Sequence, residues 1–455
     1  MNVSFISLGC DKNRVNTEQM MAMCLQAGMT VQEDVNGSDV VVINTCGFID
    51  SAKTEAIETI LSAAELKAAG EVKKILVTGC LSQRYRDEMM TELPEIDGMM
   101  GTADYGDIVS AVEQVMAGED CTHFSDINGA VEELPRVLST PTHFAYLRIA
   151  EGCSNSCAYC IIPKLRGRYR SRPMEDILTE ARALAADGVK ECIVIAQDIT
   201  RYGVDLYHEK KLPELLRELC QLDFHWIRLH YLYPDTITDE LIDTIAAEPK
   251  ICKYIDMPIQ HCNDTILKAM RRRETHAGLL ALMEKLRAKI PDVVLRTSLI
   301  TGLPYEDEAA FDELCEFLRE THIERAGVFP YSPEEGTDAA EMPNRVDTAE
   351  AERRAELVAD CTSATSSERR AELVADVQSR IMDDFNESRM GDLTEVLCEG
   401  FDPQSVQYIG RSYAESPDID GHIYFTSADD VNPGDFVTVR ITGAMDGELV
   451  GEREE

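Results

Sequence analysis

The segment Cys153-Ser-Asn-Ser-Cys157-Ala-Tyr-Cys160 sets three thiols within eight residues, directly after the apolar run Tyr146–Ile149. Spacings of three and two intervening residues let one loop wrap three corners of an iron–sulfur cubane and leave the fourth iron open to a non-protein ligand. A zinc site would want a fourth protein ligand, and no His or fourth Cys lies nearby. The chain must therefore supply a strand end that can carry such a loop.

The surrounding sequence does so. Tyr146–Ile149, Glu191–Ala196, Trp226–His230, Tyr254–Met257, Val293–Ile300 and Arg325–Phe329 read as strands, with helical stretches such as 174–187 and 306–320 between them. Six strand–helix units in series predict a partial or full parallel (β/α) barrel with its site at the C-terminal strand ends. Residues 1–135 show the same alternation. Val3–Leu8, Val40–Asn44 and Ile75–Thr78 read as strands, the middle one β-branched and buried on both faces. Arg14–Gly28 reads as a helix, and residues 51–69 as another with Ala56, Ile57, Ile60, Leu61 and Ala64 on one face. This order predicts an open parallel α/β sheet.

Gly118–Thr142, with Pro135 and Pro141, reads as a linker. Residues 392–455 switch to short β-patterned runs, Thr394–Leu397, Gly421–Phe425 and Phe436–Thr442, broken by glycines and by Asn432-Pro433-Gly434, the pattern of a small antiparallel barrel. The expected domains are 1–135, 136–375, a helical linker over 376–391, and 392–455. ERRAELVAD occurs at 352–360 and again at 368–376. The spacer predicts two helices, with Thr365 and Glu368 as a capping box on the second, a local duplication with no chemistry attached.

A second set of thiols is dispersed. Cys10, Cys46 and Cys80 each follow a predicted buried strand, in ISLGC, VINTC and LVTGC. Strand ends of an open parallel sheet converge on one edge, so three residues far apart in sequence can meet in space. One such cysteine reads as a packing residue; three at equivalent places predict a second three-thiolate cluster. The other nine cysteines, at 24, 121, 192, 220, 252, 262, 315, 361 and 398, show no ligand spacing and read as packing.

Bulk properties narrow the setting. MNVSFISLGC lacks the charged start and long apolar run of a signal peptide, and no apolar stretch approaches the ~18 residues of a membrane span. A cytoplasmic chain is expected, in which fifteen cysteines imply metal sites or buried thiols rather than disulfides. The net charge of −39 repels phosphate backbones and favours a basic partner.

The Cys153 loop, with Tyr159 before its last cysteine, resembles the radical S-adenosylmethionine (SAM) superfamily. That resemblance implies a [4Fe-4S] cluster whose open iron chelates the amino and carboxylate groups of SAM. An electron from the reduced cluster then cleaves a carbon–sulfur bond to yield a 5′-deoxyadenosyl radical. SLGCDKNRVNTEQM, INTCGFID and VTGCLSQRY, together with CSNSCAYCIIPKLRGRYRSRP and the TRAM-like end, resemble the methylthiotransferases over essentially the whole chain. The resemblance implies two [4Fe-4S] clusters, an auxiliary one on Cys10, Cys46 and Cys80 and a radical-generating one on Cys153, Cys157 and Cys160. It also implies an electron donor such as flavodoxin or ferredoxin, and a sulfur donor. Relative to that family, residues 352–367 look inserted.

Two branches of the family differ in substrate: one modifies transfer-RNA adenosine, the other the β-carbon of an aspartate in ribosomal protein S-twelve. SLGCDKN, AQDITRYGVDLY, RLHYLYP, DMPIQH and GRSYAESPDIDG resemble the second. Charge agrees: residues 392–455 hold 15 Asp and Glu against three Lys and Arg, a net −12, which suits a basic protein rather than RNA. The basic run Lys164, Arg166, Arg168, Arg170 and Arg172 could instead touch RNA, hold the SAM carboxylate, neutralise cluster charge, or simply be solvated. Tyr159, Gln197 and Gly302 are candidate SAM contacts. His230, Gln260, His261 and Asp198 border the expected cavity. A reading of another class, a non-enzymatic iron–sulfur electron carrier, would show no 5′-deoxyadenosine on reduction with SAM. A zinc scaffold is a remoter option.

Overall fold

The computed structural model describes the chain except residues 344, 345, 360–380, 446 and 455. Its first sheet comprises β1 (Asn2–Ser7), β2 (Thr30–Gln32), β3 (Val40–Thr45), β4 (Lys74–Gly79), β5 (Gly98–Met100) and β6 (Thr122–His123). The order is β2-β1-β3-β4-β5-β6, every pair parallel. The apolar side chains of β3 and β4 are buried on both faces, as parallel sheets require. Two details depart from the sequence reading. Thr122 and His123, expected in the linker, add an edge strand. The helix Asp50–Ala69 is rotated, burying Ala56, Ile60 and Ala63 while Ile57 and Leu61 are exposed.

β7 (Phe144–Arg148) opens the second unit. A two-stranded ribbon of β8 (Ala150–Glu151) and β9 (Arg170–Ser171) frames the Cys153 loop. The main sheet continues with β10 (Glu191–Ile195), β11 (Trp226–Leu229), β12 (Ile251–Asp256), β13 (Val294–Thr301) and β14 (Arg325–Pro330). Its order is β14-β13-β12-β11-β10-β7, all parallel, and β7 does not pair with β14, so the barrel is partial. Helices such as Met174–Ala186 and Glu308–Thr321 bury their apolar sides against Leu147, Val194 and Leu295 on one face of this sheet.

The last unit is a closed barrel of β15 (Leu393–Asp402), β16 (Gln407–Arg411), β17 (Ile423–Thr426), β18 (Phe436–Met445) and β19 (Glu448–Arg453). All its pairings are antiparallel except β17–β19, which is parallel and closes the ring. It is anchored by the segment 411–420, which covers the second sheet on the face its helices leave open. Glu191 accepts from Arg228 Nε at 2.6 Å and from Arg411 Nη2 at 2.8 Å, all three residues being fully buried. Tyr254 donates to Asp420 at 2.7 Å, and Arg325 to Glu415 at 2.8 Å. Three ions this deep are tolerated only because each is paired.

Residues 352–359 of the first copy lie in the helix Thr348–Ala359, which packs on β13 and β14. Thr301 Oγ1 donates to the Ala351 carbonyl at 3.1 Å, and Arg354 Nη1 to buried Glu306 at 2.8 Å. The second copy, with Thr365 and Glu368, lies outside the described residues, as do residues 376–380 of the linker expected over 376–391; residues 381–388 of that linker are helical.

Candidate iron–sulfur sites

β1, β3 and β4 are neighbours in the first sheet, so the residues that follow them share one edge. Cys10 caps the helix Asp11–Gln26, Cys46 directly follows β3, and Cys80 opens the short helix Cys80–Arg84. Gly9 (φ +82°) makes the closeness possible: a side-chain carbon there would lie 2.6 Å from Cys46 Cβ. Cys46 and Cys80 are buried and Cys10 is exposed. Burial pushes the Cys46 thiol up to about 12, with further upward pressure from Cys80 and Cys10. Burial also raises Cys80, while the Arg166 guanidinium opposes the rise. Free thiols here would be inert; a bound metal would make them thiolates.

The Cys153 loop is clamped from several sides. Cys153 N–H donates to the Gly167 carbonyl at 3.1 Å, and Ala158 N–H to that of Met270 at 3.0 Å. Asn155 Nδ2 donates to buried Asp198 at 2.8 Å, which also caps the turn Ile199–Arg201. Asp198 thus shapes the loop. Cys157 Sγ lies 3.4 Å from the Tyr233 hydroxyl, and Arg272 stacks 4.0 Å above the Tyr233 ring. Burial lifts Cys153 to about 11 and Cys160 further.

Among the described residues, the one group of three Cys, His, Asp or Glu ligand atoms lying within 4.8 Å of one another is Cys262, His276 and Glu313. Neither cysteine triad is that tight. Tetrahedral zinc, with Zn–S near 2.3 Å, holds its sulfurs about 4 Å apart, whereas a cubane spreads one sulfur to each corner iron. The donor set, three soft thiols at each place, fits a cubane.

One salt-bridged cluster connects the two triads. Arg166, fully buried at the end of the helix Ile162–Arg166, donates to both Glu151 oxygens at 3.1 and 3.0 Å and to Asn13 of the Asp11–Gln26 helix. Glu151 also accepts from Arg148 at 2.8 Å and Gln197 Nε2 at 2.9 Å. The guanidiniums hold Glu151 down to about 2 against the cost of burial. The helix that carries Arg166 packs Leu165 against Cys80, which sets the Arg166 guanidinium within electrostatic reach of that thiol.

The rest of the basic run is spent on the protein itself. Arg172 binds Glu133 and Glu180, Arg170 the carbonyls of Gly129 and Arg166, and Lys164 that of Gly336, leaving Arg168 exposed. His261 accepts from the Cys262 and Asn263 amides and faces Glu306, and His230 pairs with Ser416, so both are core histidines. Tyr159 is packed among Cys157, Cys160, Arg272 and Tyr233. Gln197 Oε1 is buried without a hydrogen-bond partner, an acceptor left over beside the Cys153 loop. Gly302 (φ +79°) makes its close approach to Ala351 of the 348–359 helix. The eight described cysteines outside the triads are buried, as packing residues would be. Glu151, Tyr231, Tyr233 and Lys12 were not singled out from sequence; a charged residue beside each triad, Glu151 before one and Lys12 after Cys10, was the available signal.

Similarity to known proteins follows this geometry. Residues 147–318 match the model of the Radical SAM superfamily, 2–101 that of Uncharacterized protein family UPF0004, and 390–453 that of the TRAM domain. A solved radical SAM methyltransferase, TsrM from Kitasatospora setae, superposes with a TM-score of 0.56 at 12% identity, covering 80% of this chain and 79% of that one, which speaks to fold alone. The family matches, with the fold, define a radical SAM enzyme, and the relatives that follow make it an iron–sulfur-dependent sulfur-group transferase. Curated relatives named ribosomal protein uS12 methylthiotransferase RimO are 45% identical in Lachnoclostridium phytofermentans (100% of both chains) and 44% identical in Clostridioides difficile (99% of this chain, 98% of that). A further one from Geobacter sulfurreducens is 45% identical over 99% of this chain and 98% of its own. The chain belongs to this RimO methylthiotransferase family, whose cofactors are SAM and two [4Fe-4S] clusters. No described helix is long and apolar enough to cross a membrane.

Proposed function

We propose that this chain adds a methylthio group to the β-carbon of an aspartate in ribosomal protein uS12, in the cytoplasm. Cys153, Cys157 and Cys160 would hold the cluster that binds SAM, with Tyr159 and Gln197 beside it. Cys10, Cys46 and Cys80 would hold the auxiliary cluster. When bound, the first cluster and SAM supply a 5′-deoxyadenosyl radical, and the auxiliary cluster supplies the sulfur. The chain's own residues fix the relation between the two: Asn155 and Asp198 shape the loop, and Arg166 binds Glu151 on its own unit and Asn13 beside the first triad. An electron donor such as flavodoxin or ferredoxin and a separate sulfur donor complete the reaction. The domain limits that suit this reading are 1–135, 136–375, 376–391 and 392–455.

The observation that carries the reading is that the segment following Cys160 packs directly on Cys80, through Ile161 and Leu165, because methylthiotransfer needs both clusters to serve one substrate. The protein substrate, rather than RNA, is supported by the charge of residues 392–455 and by the use of the 411–420 segment for packing rather than for a base-stacking surface. The test offers uS12 and transfer RNA to the reconstituted enzyme under reducing, oxygen-free conditions and weighs both products. A methylthio mass increment on uS12 that Cys153→Ala abolishes is expected; an increment on RNA alone would overturn the reading.

A further inference from the structure

A buried ion pair with spare hydrogen-bonding capacity stands beside Cys10. Lys12 lies in the first turn of the Asp11–Gln26 helix, its side chain only 6% exposed. Its ammonium is 3.0 Å from Asp11 Oδ1 and 3.0 Å from the centroid of the Tyr231 ring. An ammonium has three N–H donors; here the surroundings offer one carboxylate oxygen and one ring face. The other Asp11 oxygen, Oδ2, is buried with no hydrogen-bond partner, on a side chain 7% exposed. A donor group and an unused acceptor thus stand side by side, an arrangement that costs free energy unless a ligand completes it.

The place matters as much as the charge. Tyr231 and Tyr233 both follow β11. Tyr233 touches Cys157, while Tyr231 lies within electrostatic reach of Cys10 and Asp11. Tyr231 is held in left-handed backbone (φ +64°), its N–H fixed to Asp256 Oδ2 at 2.9 Å. A strained, non-glycine residue kept in place by a buried carboxylate marks a position where orientation counts. Lys12 therefore lies beside the first triad, against Tyr231, two residues before the Tyr233 that reaches the second.

We infer that Lys12 is the specificity residue that grips the carboxylate of the target aspartate, with Asp11 Oδ2 accepting a backbone N–H of the same peptide. This rests on the proposed reading of the substrate and names the contact that recognises it. The reacting β-carbon is bonded to the carboxylate carbon, so holding the carboxylate fixes that carbon beside both clusters. A neutral nucleobase offers Lys12 no such partner.

The test is equilibrium binding of fluorescent peptides, carrying either the target Asp or an Asn in its place, to the anaerobically reconstituted enzyme. Wild type should bind the Asp peptide about tenfold or more tighter, the worth of one charge-assisted hydrogen bond. Lys12→Met and Lys12→Gln, compared at wild-type iron content, should reduce that preference to within about twofold, and Lys12→Arg should restore part of it. A preference that survives both neutral variants, or no preference in wild type, overturns the inference. The product assay separates this from failure of the parent reading: a methylthio group on uS12 with no Asp preference removes only the role of Lys12, whereas a product on RNA alone removes both.

Discussion

Replacing Glu191 by Gln should loosen the C-terminal barrel from the half-barrel. Glu191 sits between Arg228 and Arg411 with all three side chains out of solvent, so the substitution leaves two guanidiniums facing a neutral amide. Two arguments give its size. Breaking a buried ion pair by removing one partner costs about 3–5 kcal/mol. The guanidiniums also hold the Glu191 carboxyl down to about 2 from an ordinary 4.5, despite burial; at 1.36 kcal/mol per pH unit that is roughly 3 kcal/mol. Because the folded pKa is the lower one, this stability is present above pH 4.5 and is lost as pH falls from 4.5 toward 2. The chain's one tryptophan reports on the event directly. Trp226, on β11, meets Phe436 of β18 edge-on with centroids 4.8 Å apart. In urea titrations of the reconstituted enzyme, the Trp226 emission transition should move to lower denaturant by an amount equivalent to about 3 kcal/mol. A change below about 1 kcal/mol, or unchanged Trp226 behaviour, would refute the view that this buried triad fastens the two units.

Other consequences are equally direct. Arg166→Met should strip the auxiliary site while sparing the other, lowering bound iron from about eight to about four per chain by colorimetric assay. His230, buried and uncharged, has its pKa lowered to about 4 by desolvation; the unfolded chain binds the extra proton first, so stability should fall by roughly 3 kcal/mol between pH 6.5 and 4. His230→Gln should lose that part of the slope in thermal melts. Arg354→Ala leaves Glu306 buried without its guanidinium and should cost about 2–4 kcal/mol in denaturant titrations, a loss that an exposed, undocked helix would not suffer.

Much of this architecture was legible in the sequence because parallel strands buried on both faces are written as uninterrupted apolar runs. Val40–Ile43 and Cys192–Ile195 are such runs, and Cys46 announces itself by following the first strand. β6 was not legible, since two polar residues at a sheet edge carry no periodicity. Nor was the rotation of the Asp50–Ala69 helix, where Ile57 and Leu61 remain exposed while small Ala63 packs against the sheet. The role of segment 411–420 was hidden for a different reason: a charge inside a strand, such as Arg228, signals a buried partner without naming it, and the partner Glu191 and its second cation Arg411 lie 37 and 183 residues away in the chain. The docking of the first repeat copy likewise depends on Arg354 meeting Glu306, a long-range pairing that a repeat count does not reveal.

The account depends on two three-cysteine cubanes. Mössbauer spectra of anaerobically reconstituted enzyme, recorded for wild type and for the Cys10→Ala/Cys46→Ala/Cys80→Ala variant, test that directly. Two [4Fe-4S] clusters in wild type and one in the variant are predicted. A single cluster in wild type, or two remaining in the variant, would contradict it.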